Sequence, residues 1–148
     1  MAIFNHGVLQ QIAAPRQVYE RPANRFVAEF LGNINVLPLA DVTKTPDGAQ
    51  ALFEGQVLRV PADAGAPSTT LAVRPEHMSL RLTAPDAGNA IKATVCDLTY
   101  LGAETQLSLM TVGAVPLTIS MPTTAIPQDL TAGASVWAAW AADQGIFL

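Results

Sequence analysis

The sequence predicts a mainly β fold, a barrel or sandwich of short strands that follows a small helical front. The chain has 148 residues, of which 50% are hydrophobic and 14% are charged. That composition supplies one packed core and excludes intrinsic disorder. The helical pattern is confined to residues 1–32, whereas short apolar runs separated by proline and glycine fill the rest of the chain. Such regularly punctuated runs are typical of all-β proteins.

The front of the chain predicts a hairpin and two short helices. Met1–Phe4 and Val8–Ile12 flank Asn5-His6-Gly7, a pattern that predicts a small hairpin. A helical turn is expected over Pro15–Glu20. In Pro22–Gly32 the apolar residues recur at the spacing of one helix face. The proline suits the first helical position and the glycine suits the residue after the last.

From residue 34 onward the pattern is that of strands. Turn residues Pro46-Asp47-Gly48 predict a hairpin between the first two runs. Pro116 and Pro122 predict an edge position for the run Val115–Met121, because proline cannot donate a hydrogen bond to a ladder. The predicted strands are Val36–Thr43, Ala49–Glu54, Gln56–Val60, Thr70–Arg74, Met78–Leu82, Ala90–Leu101, Thr105–Val112, Val115–Met121, Ser135–Ala142 and Ile146–Leu148.

Composition also narrows the class of function. The net charge is −4, and residues 36–148 carry ten acidic but only five basic residues. An acidic body matches phosphate backbones poorly, which argues against nucleic acid as a partner. The longest apolar stretches, such as Val136–Ala142, are too short to span a bilayer, so no direct membrane insertion is expected. Without a secretory pattern, we expect a cytoplasmic location.

Cysteine and histidine are too few for a metal site or a disulfide. Cys96 is the single cysteine, and the chain has two histidines. We therefore expect no metal, and we expect Cys96 to be a small buried hydrophobic residue. No Ser-His-Asp arrangement or paired-carboxylate pattern stands out, so no catalytic residue is predicted.

Two parts of the sequence resemble a known family. Gly7–Ile12, Pro15–Gly32 and Asn35 resemble the junction between the ATPase and regulatory domains in cytoplasmic subunits of ABC importers of the polyamine, iron and sugar type. Downstream, Val73-Arg74-Pro75-Glu76-His77 and Tyr100-Leu101-Gly102-Ala103-Glu104-Thr105 are similar to two recurring signatures of the transport-associated OB (TOBE) domain. The resemblance implies an OB-like TOBE barrel over residues 34–148 and a small α/β remnant of an ATPase domain over residues 1–33.

The resemblance implies a regulatory and dimer-supporting module of an ABC importer ATP-binding subunit. The parent subunit would use ATP and magnesium to drive solute import. Expected partners are a second copy, membrane-spanning permease subunits and a small-molecule or protein regulator, with the complex on the cytoplasmic side of the inner membrane. The transported solute is not indicated.

The chain departs from the family where ATP is bound. A phosphate-binding loop needs a lysine after glycine, and the only lysines, Lys44 and Lys92, follow other residues. The signature and metal-binding acidic motifs are also missing. We therefore expect no cofactor and no ATP hydrolysis by the chain alone, which suggests a truncated reading frame, a shortened fragment or a standalone remnant.

The first motif supplies three candidate contact residues, Arg74, Glu76 and His77. Arg74 offers a planar fork to a carboxylate or an oxyanion. Alternatively, Arg74 and Glu76 stabilise a corner of the barrel, and His77 is a surface histidine.

The second motif supplies Tyr100, Gly102, Glu104 and Thr105. Their hydroxyl and backbone N–H groups suit a small anion, as in the related molybdate-binding modules. The alternative is a tight turn at Gly102 between two strands.

An apolar stripe on the second helix predicts an interface. Its members are Phe26, Val27, Phe30 and Leu31, and burial of each large side chain is worth about 1.5–3 kcal/mol. We expect a homodimer in which each stripe docks on the other chain, with Gly32-Asn33 as a hinge for exchange.

Three other functions stay open. The chain could be a free-standing small-anion-binding module, which anion-dependent thermal stabilisation would support. An OB-type nucleic-acid binder is disfavoured by the acidic body. An enzyme of unknown class has no support in the residues.

Overall fold

The computed structural model describes residues 1–148, and its first element is the predicted hairpin. β1 (Ala2–Asn5) pairs with β2 (Val8–Ile12) in an antiparallel two-stranded sheet. The turn residues His6 and Gly7 have φ angles of 50° and 77°. Two successive residues at positive φ give the primed turn that matches the twist of a hairpin, and glycine adopts that conformation without a Cβ clash.

Two six-residue helices follow the hairpin. α1 (Pro15–Glu20) has the predicted bounds. α2 (Arg25–Phe30) begins three residues later than Pro22, so the prediction that Pro22 opens this helix is wrong. The side-chain oxygen of Asn24 accepts a hydrogen bond from the Val27 N–H at 3.0 Å, and this N-cap fixes the start. Neither helix has the length and apolar character needed to cross a membrane.

Strands form the rest of the chain, as predicted. Most bounds agree with the predicted runs to within two residues. In chain order the strands are β3 (Asn35–Pro38), β4 (Ala40–Thr45), β5 (Gly48–Phe53), β6 (Gln56–Pro61), β7 (Thr70–Val73), β8 (Ser79–Arg81), β9 (Asn89–Leu101), β10 (Glu104–Thr111), β11 (Pro116–Pro122), β12 (Ser135–Trp140) and β13 (Ile146–Phe147).

These strands form three antiparallel sheets around one core. The sheet orders are β11-β10-β9-β12-β8, β13-β7-β3 and β4-β5-β6. β11 lies at an edge, which confirms the position inferred from its prolines. A single cluster of 24 buried apolar residues draws on all three sheets, and Phe53, Leu71 and Leu107 are among its largest fully buried members.

Two buried asparagines join the sheets side to side. The Asn35 side chain donates to the Thr118 carbonyl at 2.8 Å and accepts from the Thr118 N–H at 2.7 Å. The Asn89 side chain makes the same pair of bonds with Arg59, at 2.8 and 2.7 Å. Each side-chain amide therefore binds both the N–H and the carbonyl of one residue in an edge strand, on the side where no neighbouring strand supplies a hydrogen bond.

Two sequence expectations about the body are wrong. The run Val36–Thr43 is two strands, because the chain changes its pairing partner at Leu39. The Leu39 N–H donates to the Thr69 carbonyl at 2.8 Å, next to β7, and Ala40 then pairs with Leu52 of β5. Cys96 is exposed rather than buried. It has no partner across the β9–β10 ladder, where Ser108 pairs with Asp97 and Leu109 with Val95. Ile91 and Val95 of β9 are buried, so the alternation of side chains along the strand already places Cys96 on the outward face, and the bulge occurs at this residue.

Candidate functional site

Arg74 joins the barrel to the N-terminal segment. It follows β7, begins a 3₁₀ turn over Pro75–His77, and is only 5% exposed. Its Nη1 donates to the Ala28 carbonyl at 3.0 Å and to the carbonyls of Gly32 and Asn33 at 3.5 and 3.3 Å. Carbonyls at the end of a helix lack partners within that helix. The buried cation therefore closes the C-terminal end of α2.

The same guanidinium packs on the end of α1. Its central carbon lies 4.3 Å from the centroid of the Tyr19 ring, and its Nη2 donates to the Tyr19 carbonyl at 3.2 Å. The Tyr19 hydroxyl donates to Glu76 of the 3₁₀ turn. Burial, and next the hydrogen bond to Glu76, raise the pKa of Tyr19 above its ordinary value. A cation is attracted to the electron-rich face of an aromatic ring, so the contact with the Tyr19 ring favours this position of the Arg74 guanidinium.

A second, exposed contact links the same two parts of the chain. Arg21 lies just after α1, and its Nη2 is 2.8 Å from a carboxylate oxygen of Asp63. The Arg21 Nη1 also donates to the Asp63 carbonyl. Because both side chains are more than half exposed, this ion pair stabilises the chain much less than the Arg74 contacts.

A cleft of about 340 Å³ lies at this junction. Arg74 and His77 of the first motif line it, whereas Glu76 faces Tyr19. The lining residues are Tyr19, Glu20, Arg21, Ile34, Asp63, Ala72, Val73, Arg74, His77, Asp143, Gln144, Gly145 and Ile146. No three His, Cys, Asp or Glu side chains are arranged to hold a metal ion.

The second motif forms a tight hairpin away from this cleft. Gly102 has a φ of 81° and lies in a two-residue turn between Leu101 and Glu104. Glu104 accepts from Ser120 Oγ at 3.0 Å. Tyr100 is exposed. These contacts describe a braced turn, and none of the motif lines the cleft.

Thr105 is not available to a ligand, contrary to the anion-binding interpretation of the motif. Its side chain is fully buried, and Oγ1 lies 2.9 Å from Thr123 Oγ1. Thr123 Oγ1 in turn donates to the Gly102 carbonyl at 2.7 Å. The hydroxyl network therefore fastens the hairpin to the end of β11.

The predicted interface stripe is only partly free. Val27 is fully buried with Ile3 and Val18 of the same chain, so it cannot contribute to an exposed stripe. Phe26 and Leu31 pack at the margin of this cluster. Phe30 is 64% exposed and remains the member best placed to meet a partner.

Sequence reasoning missed the residues that complete the junction. Tyr19, Arg21, Asp63 and Asp143 are separated by as many as 124 positions and carry no common motif. In the sequence, Asp63 is indistinguishable from an ordinary solvent-exposed loop residue. Its ion pair with Arg21 forms only because the fold brings the two side chains together.

Comparison with known proteins identifies the barrel. The TOBE domain family matches residues 71–148, which is more than half of the chain. The chain therefore belongs to the TOBE domain family. Its mainly β, OB-like architecture agrees with that assignment and with the predicted fold class.

The chain is also similar to subunits of import systems. It is 41% identical over 113 residues to the spermidine/putrescine import ATP-binding protein PotA of Ruegeria pomeroyi, covering 74% of the chain and 30% of that protein. It is 36% identical over 110 residues to the sulfate/thiosulfate import ATP-binding protein CysA 2 of Chromobacterium violaceum, covering 74% of the chain and 29% of that protein. The chain spans about a third of the length of such relatives. The resemblance to ABC importer ATP-binding subunits is confirmed.

A solved structure shares the fold. The cytoplasmic molybdate-binding protein ModG superposes with a TM-score of 0.60 at 18% identity, covering 77% of this chain and 93% of that one. At this identity the likeness concerns the fold.

Proposed function

We propose that the chain is the non-catalytic regulatory part of an ABC importer ATP-binding subunit. Residues 34–148 would form the regulatory barrel, and residues 1–33 the end of the ATPase domain. The match of residues 71–148 to the TOBE domain, together with relatives named as import ATP-binding proteins, carries the proposal. The parent subunit would bind ATP and magnesium and work with membrane-spanning permease subunits at the cytoplasmic face of the inner membrane.

The geometry of the junction supports a regulatory role. Arg74 of the barrel holds carbonyls at the ends of α1 and α2, so a displacement of the barrel would carry the N-terminal segment with it. Such a linkage suits a module that passes a conformational change to a neighbouring domain. Self-association through Phe30 would bring two such modules together.

Two measurements on the purified chain test the proposal. Titration calorimetry with magnesium-ATP should give no binding, because neither Lys44 nor Lys92 follows a glycine as the lysine of a phosphate-binding loop does; micromolar binding would contradict the proposal. Light scattering during gel filtration should give about twice 15.6 kDa. A monomer at micromolar concentration would remove the dimer-supporting role.

Binding of a small inorganic oxyanion is a second candidate function. Its support is the shared fold with ModG, whose name describes molybdate binding. The donors in the two motifs do not favour it, since Nη1 and Nη2 of Arg74 donate to main-chain carbonyls and Thr105 is bonded to Thr123. An inorganic oxyanion at the remaining Nε–H of Arg74 would also share the cleft with the carboxylate of Asp143. Thermal unfolding with and without molybdate separates the candidates. We expect an unchanged melting temperature, whereas a rise that saturates with molybdate would favour the oxyanion function.

A further inference from the structure

The cleft at the junction contains a buried cation that no carboxylate neutralises. Arg74 forms no ion pair, and its hydrogen bonds all go to main-chain carbonyls through Nη1 and Nη2. Its Nε–H has no protein acceptor. Trp140 Nε1 is the only fully buried polar side-chain atom without a partner, so the Nε of Arg74 keeps contact with solvent. Buried charges are ordinarily paired, and this residue, which lines the cleft, keeps one N–H that no protein atom accepts.

The same cleft contains one carboxylate without a partner. Of its three acidic residues, Glu20 pairs with Arg16 at 2.6 Å and Asp63 pairs with Arg21 at 2.8 Å. Asp143 has neither an ion pair nor a hydrogen bond to the protein. The cleft therefore contains one cation without a carboxylate partner and one carboxylate without a partner, while Glu20 is paired with Arg16 outside the cleft and Asp63 with Arg21 inside it.

We propose that this cleft binds a small zwitterion, with its carboxylate at Arg74 and its ammonium group at Asp143. A simple anion would meet Asp143, and a simple amine would meet Arg74, so a ligand with only one charge satisfies one group and opposes the other. A volume of about 340 Å³ suits a molecule of amino-acid size, at the lower end of the range for small-molecule sites.

The apolar part of the lining fits the stem of such a molecule. Ile34, Ala72 and Ile146 lie among the charged residues of the cleft. A short aliphatic chain between the two charged groups would cover these side chains. Binding here needs neither self-association nor an ATPase domain, so the site can be tested apart from the proposed function.

Three probes with the same carbon skeleton separate the charges. They are 4-aminobutyrate, butyrate and butylamine, each titrated into the labelled full chain while amide resonances are followed by NMR. The Gly145 amide lies in the cleft and reports binding, and the Gly133 amide, outside the cleft, is the internal control. We expect 4-aminobutyrate to shift Gly145 at lower concentration than either single-charge probe.

A charge-removing variant tests the assigned orientation. Asp143→Asn should weaken 4-aminobutyrate binding about two- to fivefold, as for a partly exposed ion pair, and leave butyrate binding no weaker. The matched control is Asp129→Asn, which removes an exposed carboxylate outside the cleft. No saturable shift at Gly145 with any probe, equal affinity for all three, or an undiminished preference for 4-aminobutyrate in Asp143→Asn would each overturn the proposal.

Discussion

Arg74 lies over the ring of Tyr19 at 4.3 Å and donates to the main-chain carbonyl of the same residue at 3.2 Å. One barrel side chain thus binds a residue of α1 through both its ring and its backbone. Since Arg74 also donates to Ala28 at the end of α2, the order of the N-terminal segment depends on the barrel. Removal of the Arg74 side chain should therefore destabilise α1 and α2 more than it destabilises the barrel.

Arg74→Met should lower the free energy of unfolding by about 2–4 kcal/mol. The methionine keeps much of the apolar stem but leaves buried carbonyls without a charged donor. Urea unfolding measures the change, and hydrogen exchange at Ala28 should quicken more than exchange in the barrel. Arg81→Met is the control, because Arg81 is exposed and should cost less than about 0.5 kcal/mol. Equal losses in the two variants would contradict the assigned role.

Asn35→Ala should cost about 2–3 kcal/mol of stability. It removes the partner of both backbone groups of Thr118, which is half-buried, and deletes a side-chain amide that is itself only 4% exposed. Asn33→Ala provides the comparison, because Asn33 is exposed and its side chain makes no hydrogen bond. If denaturant unfolding gave the two variants the same midpoint, the join between β3 and β11 would not stabilise the barrel.

The free energy of unfolding should decrease at alkaline pH because Tyr19 ionises. The folded-state pKa of this phenol is raised above 10.0 by burial and by the bond to Glu76. The folded chain therefore keeps the proton to higher pH than the unfolded chain does. This contribution is complete below about pH 10 and is lost as the pH rises through the folded-state pKa. Wild type should lose more stability than Tyr19→Phe between about pH 9 and pH 11; parallel losses would exclude Tyr19 as the source.

Phe30→Ser should weaken self-association without unfolding the chain. Phe30 is 64% exposed, and its ring stacks only on Phe26, with centroids 6.1 Å apart. Val57→Ser makes a comparable change at a side chain that is 56% exposed on β6. Sedimentation equilibrium should show weaker dimerisation for Phe30→Ser alone. The same effect in both variants would indicate non-specific hydrophobic association instead of an interface at α2.

Local pattern predicted the elements better than their junctions. The His6-Gly7 turn and the prolines of β11 act through neighbouring residues, and the hairpin and the edge position followed from them. The break at Leu39 depends on a change of pairing partner from β7 to β5, which no local pattern shows. The outward position of Cys96, by contrast, follows from its alternation with the buried Ile91 and Val95, a local pattern that the expectation of burial overlooked.

The candidate site could be predicted only in part, because local motifs indicate some of its residues but not their distant contacts. Arg74 and His77 belong to a recognisable motif, and both line the cleft. The motif could not indicate that the Arg74 donors turn toward Tyr19 and Ala28, because those residues lie some 50 positions away. The sequence also does not show that Asp143 lacks a partner, because the partners of Glu20 and Asp63, the other acidic residues of the cleft, are known only from the folded structure.

Solute uptake by a chimeric importer tests the central claim most directly. The segment of the Ruegeria pomeroyi PotA that aligns with this chain would be replaced by the chain's matching residues, and ATP-dependent spermidine uptake measured in vesicles that contain that protein's own transport partners. A chimera with the aligned segment deleted is the control. If the chain is a regulatory part of such a subunit, the substituted protein should take up spermidine within about tenfold of the intact protein, a difference of about 1.4 kcal/mol in barrier height. A substituted protein that folds and binds ATP but takes up no more spermidine than the deletion would contradict the account.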